Sequence, residues 1–427
     1  MSGPLTQLSA IGAQDSYLQI DSEVTFFKQL YKRHTNFAID AQYQPFNQTP
    51  KLNGTTICQI NRTADLINKV WLHITLPALI ADQDGTIREG ARYCDEVGFA
   101  AIRDITFSIG NVDVDVHPGH YLQVWNQLTC PEEKRFIDHL VGRTGGDIEA
   151  LRNNARKTQD LWIPLQFFWN RWIGYSLPLI ALQYHETRIT VRFNALNDIV
   201  AELGNGRTNV NGIDTSSFNA ELLCNYIYLD DPERHWFAGN AHEYLIEQLQ
   251  YQGDVPTTDM MTVYNATFNH PCIELIWVLI SRAAVEAHEP FCYGALNKSW
   301  NTAGDPMTTA KLSLNGHDRF ANQPPEYFRE IVPSMCHTAI PRKNIYVYSF
   351  ALEPEDWRPS GSLNMSRIDS VRLYIGHIQF LSVNHPNLPL DGNGNLSTMD
   401  GGFLRVYCRS RNVLRISNGL GGVLFAN

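Results

Sequence analysis

An internal repeat constrains this chain more than any other feature. Ile109-Gly110-Asn111-Val112-Asp113 is followed by Gly119-His120-Tyr121, and Leu314-Asn315-Gly316-His317-Asp318 is followed by Pro325-Glu326-Tyr327. Each loop closes an alternating apolar segment, "DITFSI" in one case and "AKLSL" in the other. Gly110 and Gly316, Tyr121 and Tyr327, and Trp71 and Trp277 all stand about 206 residues apart, and self-similarity at a fixed offset marks a repeated structural unit. "AIDAQYQ" at 38–44 and "LIEQLQYQ" at 245–252 match at nearly that spacing. Later landmarks keep their order: "HETRITVRF" aligns with "RIDSVRLYI". There the offset shrinks to about 183, because the first copy carries an insertion at 132–160, and insertions in repeated units map to loops.

The repeated unit reads as all-β. "NKVWLHITLPAL", "RDITFSIGNVDVDVH", "TRITVRF" and "LLCNYIYL" in the first copy are short β-branched or alternating runs bounded by turn residues. "PCIELIWVLI", "NIYVYSFAL", "DSVRLYIGHI" and "GFLRVYCRSRNVLRIS" repeat the theme in the second. Few helical patterns alternate with them, which argues against a parallel α/β sheet and for sandwiches or barrels. A chain of 427 residues accommodates two such domains of roughly 200 residues. Residues 1–20 read as an extended arm. "DSEVTFFKQLYKRHTNF" reads as one helix capped by Asp21 or Ser22, with Lys32 and Arg33 at its negative end. The segment "DDPERHWFAGNA", 230–241, is the expected linker.

Composition excludes several functions. A net charge of −10 argues against broad nucleic-acid binding, which needs a basic face to displace counterions. No segment approaches the ~18–20 apolar residues that span a bilayer, and the N-terminus lacks the pattern of a secretory signal. The eight cysteines are scattered without a C-x-x-C, so reduced thiols are expected rather than a disulfide framework or zinc site. The N-x-S/T sequons, such as Asn53-Gly54-Thr55, read as chance matches without such a signal.

Candidate chemistry is thin. His185-Glu186 and His242-Glu243 begin an H-E-x-x-H zinc motif, but isoleucines stand at 189 and 246, so both fail and polar contacts are expected. Asp113, Asp115 and His117 share one strand face by the period-two rule, with Val112, Val114 and Val116 on the other; a solvated face is expected in preference to a cation site. "NGLGGVLFAN" is neither a Walker A sequence nor G-x-G-x-x-G. G-x-S-x-G does not occur, and paired glycosidase carboxylates have no sequence spacing to test, so a carbohydrate-binding or glycoside-cleaving β-sandwich stays a rival. The basic cluster Lys28, Lys32, Arg33 and His34 reads as a solvated helix face, with contact to an acidic partner or anionic membrane as the alternative. Long loops at 82–95, 132–160, 205–217, 296–310 and 386–402 favour an interaction protein over an enzyme.

The segments "GAQDSYL", "TFFKQLYKRHTNFAI", "LPLIALQYHETRI", "HEYLIEQLQ", "NHPCIELIW", "LNGHDRF", "YSFALEPEDWRPSGSLNMSRIDS" and "NVLRISNGLGG", in that order, resemble the major capsid proteins of large nucleocytoplasmic DNA viruses of the phycodnavirus and iridovirus types. The resemblance runs from about residue 12 to the C-terminus. It implies two tandem eight-stranded antiparallel jelly rolls, a double jelly roll with an N-terminal helix and long loops. It also implies a homotrimer whose six rolls make a pseudo-hexagonal capsomer tiling the icosahedral capsid, in the virion, with synthesis and assembly in the host cytoplasm. Partners would be neighbouring capsomers, minor capsid proteins and an internal membrane; no catalytic residue, metal or cofactor is implied. On this reading 1–24 is an arm, 25–229 the first roll with its helix, 230–241 the linker and 242–427 the second roll. Lys28, Lys32 and Arg33 would face the shell interior. A minor capsid or spike protein of the same fold is a further alternative. Both Trp71 and Trp277 are expected in cores.

Overall fold

The structure, a computed structural model, describes residues 9–10, 12–14, 27–28, 33–79, 89–203, 210–257, 260–294, 304–377 and 401–425. Residues up to Phe37 form a unit of their own, in which Lys28, Arg33 and His34 are exposed. Lys32 and most of the expected arm and helix lie outside the described residues.

Among the described residues, sixteen strands of five or more residues build the second unit. The first eight are β1 (Phe37–Pro45), β2 (Thr55–Gln59), β3 (Leu66–Leu76), β4 (Ile102–Ile109), β5 (Val112–Pro118), β6 (Gln159–Pro164), β7 (Thr187–Phe193) and β8 (Asn219–Leu229). They form two sheets, ordered β1-β8-β3-β6 and β2-β7-β4-β5. The next eight are β9 (His242–Tyr251), β10 (Met261–Ala266), β11 (Pro271–Ser281), β12 (Met307–Leu314), β13 (His317–Gln323), β14 (Ile345–Ser349), β15 (Val371–His377) and β16 (Gly402–Ser417). Their sheets run β9-β16-β11-β14 and β10-β15-β12-β13, the same order shifted by eight. Both copies are therefore antiparallel jelly rolls, with the two sheets of each packed face to face. Helix α1 (Gly119–Thr129) and helix α2 (Ile148–Ala155) occupy the long β5–β6 connection, and α3 (Asp231–Gly239) joins the rolls. Asp230 caps α3 by accepting from the Asp231 amide, and Pro232 suits its first turn.

Alternation builds each core. Val70, Leu72 and Ile74 of β3 face Ile105 and Phe107 of β4 and Ile189 and Val191 of β7, all buried in one cluster. In the second roll Leu275, Trp277 and Leu279 of β11 meet Leu312 and Leu373, and the Trp277 ring lies 5.1 Å from Phe328 and 6.1 Å from Tyr346.

The ladders align the two copies residue by residue, and they correct the spacing read from sequence. Val70 pairs with Cys224, and Leu275 pairs with Cys408. Both β3 and β11 then carry one extra residue at the same place, between Ile67 and Val70 and between Cys272 and Glu274. The offset in this strand is thus about 205 rather than about 206. An odd shift changes the face, because strand side chains alternate. Leu72 therefore corresponds to Trp277, and Trp71 corresponds to Ile276 on the outer face, where it is half-buried. The hairpins show the same slip. Ile109 pairs with Val112 and Leu314 with His317, so Gly110 corresponds to Asn315 and Asn111 to Gly316. Gly110 takes a positive φ of 63° at the first central position, as in a type II′ turn. Asn315 and Gly316 take 48° and 83°, the type I′ pattern. Further bulging in β13 adds a residue, so His117 matches Gln323 and Tyr121 falls level with Tyr327. Tyr121 is buried and Tyr327 half-buried.

Truncation should separate the two tryptophans. Trp277→Ala is expected to destabilise the protein by about 3–5 kcal/mol. Trp71→Ala is expected to cost less than about 1 kcal/mol in the isolated chain, as for a partly exposed site. Denaturant melts of both variants check this; equal midpoints would contradict the placement.

Candidate assembly surfaces

The outer face of the second roll's β9-β16-β11-β14 sheet is covered within the chain. Ile246, Ile276, Val278, Ile280, Ile345 and Val347 project from it into the same buried cluster as the first roll's core. Strand β5 and helix α1 of the first roll dock there. Gln248 Nε2 donates to the Val114 carbonyl at 2.5 Å, the Leu249 amide donates to Asp115 Oδ1 at 3.0 Å, and Tyr293 Oη donates to Gln123 Oε1 at 3.0 Å. Gly119 starts α1 because nothing larger fits: a Cβ there would stand 2.2 Å from the Ile102 carbonyl oxygen.

This docking overturns the expected solvated face of β5 at Asp115 and His117, while Asp113 is exposed as expected. Asp115 and His117 are buried, while Val112 and Val116 are exposed. The cause is a bulge: Phe107 pairs with Asp115 but Ser108 pairs with Asp113, so the alternation slips between them. Asp115 holds His117 Nε2 at 2.9 Å and the β9 backbone at once, and the His117 ring stacks on Phe167 at 4.7 Å. The histidines of the two H-E pairs meet backbone oxygens: His185 Nδ1 reaches Gly421 of the second roll at 2.9 Å, and His242 Nε2 the nearby Phe237 at 2.8 Å.

A buried ion network crosses the seam. Arg409, fully buried on β16, binds Glu274 and Glu247, and Glu247 also binds Arg171 of the first roll. The Arg409 and Arg171 guanidinium carbons lie 4.0 and 4.4 Å from the centroid of the Trp125 ring on α1, a cation–π pair. Beyond Glu274, His337 places Nε2 at 2.9 Å from that carboxylate and Nδ1 at 2.7 Å from Glu355. Both ring nitrogens face carboxylates, so the ring is an imidazolium. Burial alone would lower its pKa, but the charges and hydrogen bonds of Glu274 and Glu355 outweigh this and hold it at about 9. Burial likewise opposes ionisation of Glu274, yet Arg409 and His337 draw it down to about 2.

A raised histidine stabilises fully below its unfolded pKa of about 6.5, and its contribution disappears as pH climbs through the folded value. The melting midpoint is therefore expected to fall between pH 7 and 10, and less so in His337→Gln. Parallel falls in both proteins would contradict this assignment.

The equivalent surfaces elsewhere are less buried among the described residues. On the first roll, Trp71, His73 and Thr75 of β3, Trp162 of β6 and Leu223 of β8 stand where Ile276, Val278, Ile280, Ile345 and Tyr407 stand on the second, and all five are half-buried. Tyr43 of β1, 52% exposed, adds to this face with its ring 6.3 Å from Trp162; His73 stacks on Trp162 at 4.2 Å. An open groove of about 460 Å³ borders it, lined by Lys69, Trp71, Trp125, Pro164 and Trp172 among others. On the second roll, β13 and the helical turns 327–336 correspond to β5 and α1. At the spacing of Tyr121 and Tyr327, Ile331 takes the place of Trp125 and Met335 that of Thr129; Ile331 is 49% and Met335 77% exposed. Among the described residues, one socket is thus filled by its knob within the chain, while a second socket and a second knob do not meet each other.

Two family models match: "Major capsid protein N-terminus" over residues 25–230 and "Large eukaryotic DNA virus major capsid protein" over 233–422. The chain is 34% identical to the major capsid protein of Pyramimonas orientalis virus and 31% identical to that of Paramecium bursaria Chlorella virus 1, over the full length of both partners in each case. The crystal structure of PBCV-1 VP54 superposes with a TM-score of 0.76 at 27% identity, covering 94% of this chain and all of that one. The Faustovirus major capsid protein shares the fold, with a TM-score of 0.70 at 13% identity over 97% of this chain and 96% of that one.

Proposed function

The chain belongs to the major capsid protein family of large eukaryotic DNA viruses, and from that premise we propose that it acts as a homotrimeric, pseudo-hexagonal capsomer. It is a structural component of the virion capsid. The observation that carries the trimer is the mismatch between covered and open faces. The second roll's outer sheet face is filled by β5 and α1 of the first roll. Among the described residues, the first roll's matching face has Trp71 and Trp162 half-buried and Tyr43 exposed, and β13 and Ile331 of the second are exposed. Seating the second roll of one copy on the first roll of the next is a heterologous contact, and such contacts make a ring when the rotation closes. Two rolls per chain turn through six positions in three chains.

On this reading the boundary between rolls falls in the 230–241 linker, and the repeat landmarks mark corresponding corners of successive rolls in the ring. The capsomer contacts its neighbours in the shell, minor capsid proteins and, on the interior side, a membrane. Lys28, Lys32 and Arg33 belong to that inner side, where basic residues suit an anionic surface. The protein needs no cofactor and carries out no catalysis; assembly takes place in the host cytoplasm.

Light scattering after size exclusion tests the trimer. Chains of 48.5 kDa give a closed trimer of about 145 kDa. A monomer at high concentration would overturn the reading.

A further inference from the structure

Two of the eight cysteines are placed for a reaction. Cys272 on β11 and Cys408 on β16 are both fully buried in the second roll's core. Their sulfurs stand 3.0 Å apart as free thiols. That is tighter than the ~3.5–4.0 Å of ordinary nonbonded contact. The strands are direct neighbours: Leu275 pairs with Cys408, and Cys272 with Ser410. The two cysteines are thus diagonal across the ladder. The extra residue between Cys272 and Glu274 returns Cys272 to the inner face beside Cys408. A disulfide needs about 2.05 Å between sulfurs, so roughly 1 Å of movement separates the two states. The first roll has no counterpart. Ile67 occupies the place of Cys272 opposite the strand that carries Cys224.

We propose that Cys272 and Cys408 form a latent disulfide that staples the second roll when the chain meets an oxidising small-molecule disulfide. One cysteine thiolate attacks a sulfur of the oxidant, forming a mixed disulfide and releasing one small thiol. The second thiolate displaces the other half as a second small thiol. The two cysteines lose two electrons and two protons, and the oxidant is reduced to two thiols. Burial pushes the Cys272 thiol well up, which leaves little thiolate in the closed roll. Exchange therefore proceeds while β16 docks or when it opens. Once made, the bond is shielded from reductant by the same burial. It ties together two strands separated by 136 residues of sequence, so it constrains most of the second roll's unfolded chain.

The test refolds the full chain from denaturant with oxidised glutathione in excess over reduced, followed by alkylation in denaturant and peptide mapping. The expected result is a linked peptide containing Cys272 and Cys408, six remaining alkylated cysteines, and a melting midpoint raised by about 5 °C or more. Cys272→Ala and Cys408→Ala should each lose the linked peptide and the oxidant-dependent rise. Eight alkylated cysteines, or Cys272 and Cys408 each linked elsewhere, would overturn the proposal. Mapping of the unsubstituted chain decides the matter even if a variant folds poorly.

Discussion

Ile331→Asp is expected to leave a single folded chain of 48.5 kDa in place of the trimer proposed for the unsubstituted protein. Ile331 sits at the position of Trp125, the ring clasped by Arg171 and Arg409 at the covered seam. The aspartate would carry a charge into an apolar contact repeated three times per ring. Truncation of a central anchor costs roughly 2–4 kcal/mol per interface, and burying an unpaired carboxylate costs more. Trp71→Asp on the facing sheet should have the same effect. Ile331 and Trp71 lie outside the two roll cores' inner faces, so melting of the isolated chain should barely change. A trimer that survives both substitutions would place the subunit contact elsewhere.

Arg409→Ala should be as damaging within one chain as Trp277→Ala. It leaves Glu274 fully buried with only His337 beside it and removes one of the two cations over Trp125. Breaking one side of a buried pair costs about 3–5 kcal/mol. The seam should loosen along with the second core, visible as a lowered midpoint in denaturant. Arg409→Met combined with Glu274→Gln removes both charges, and it should recover part of the loss. A double variant no better than Arg409→Ala would mean that the hydrogen bonds, not the stranded charge, set the cost.

The repeat was legible in sequence, and so was the all-β class, because strand alternation and turn residues are local signals. Its phase was not. Matching Gly110 to Gly316 and Trp71 to Trp277 follows residue identity, whereas the ladders follow hydrogen bonding and align Gly110 with Asn315 and Trp71 with Ile276. One bulge moves a side chain across a sheet and leaves no mark in composition. The same cause buried Asp115 and His117 against the expectation of a solvated face. The ion network was out of reach by spacing, since Arg171, Glu274, His337 and Arg409 come from four distant segments. A signal did exist. Arg405, Arg409 and Arg411 fall at alternate positions of β16 around Tyr407, with Leu404, Val406 and Cys408 on the opposite face. Charges at period two in such a strand mark a second buried face.

The position of β16 in the chain bears on which molecules can enter a shell. It is the last long strand in sequence, yet it lies between β9 and β11 in the sheet. It also carries Tyr407 and Arg409, which receive helix α1. A polypeptide released early by the ribosome therefore lacks the middle of its second sheet and the surface on which its first roll rests. It cannot present a finished subunit to a growing lattice. Strand order thus makes translation to the end of β16 a condition for closing the second sheet and for seating α1 on it.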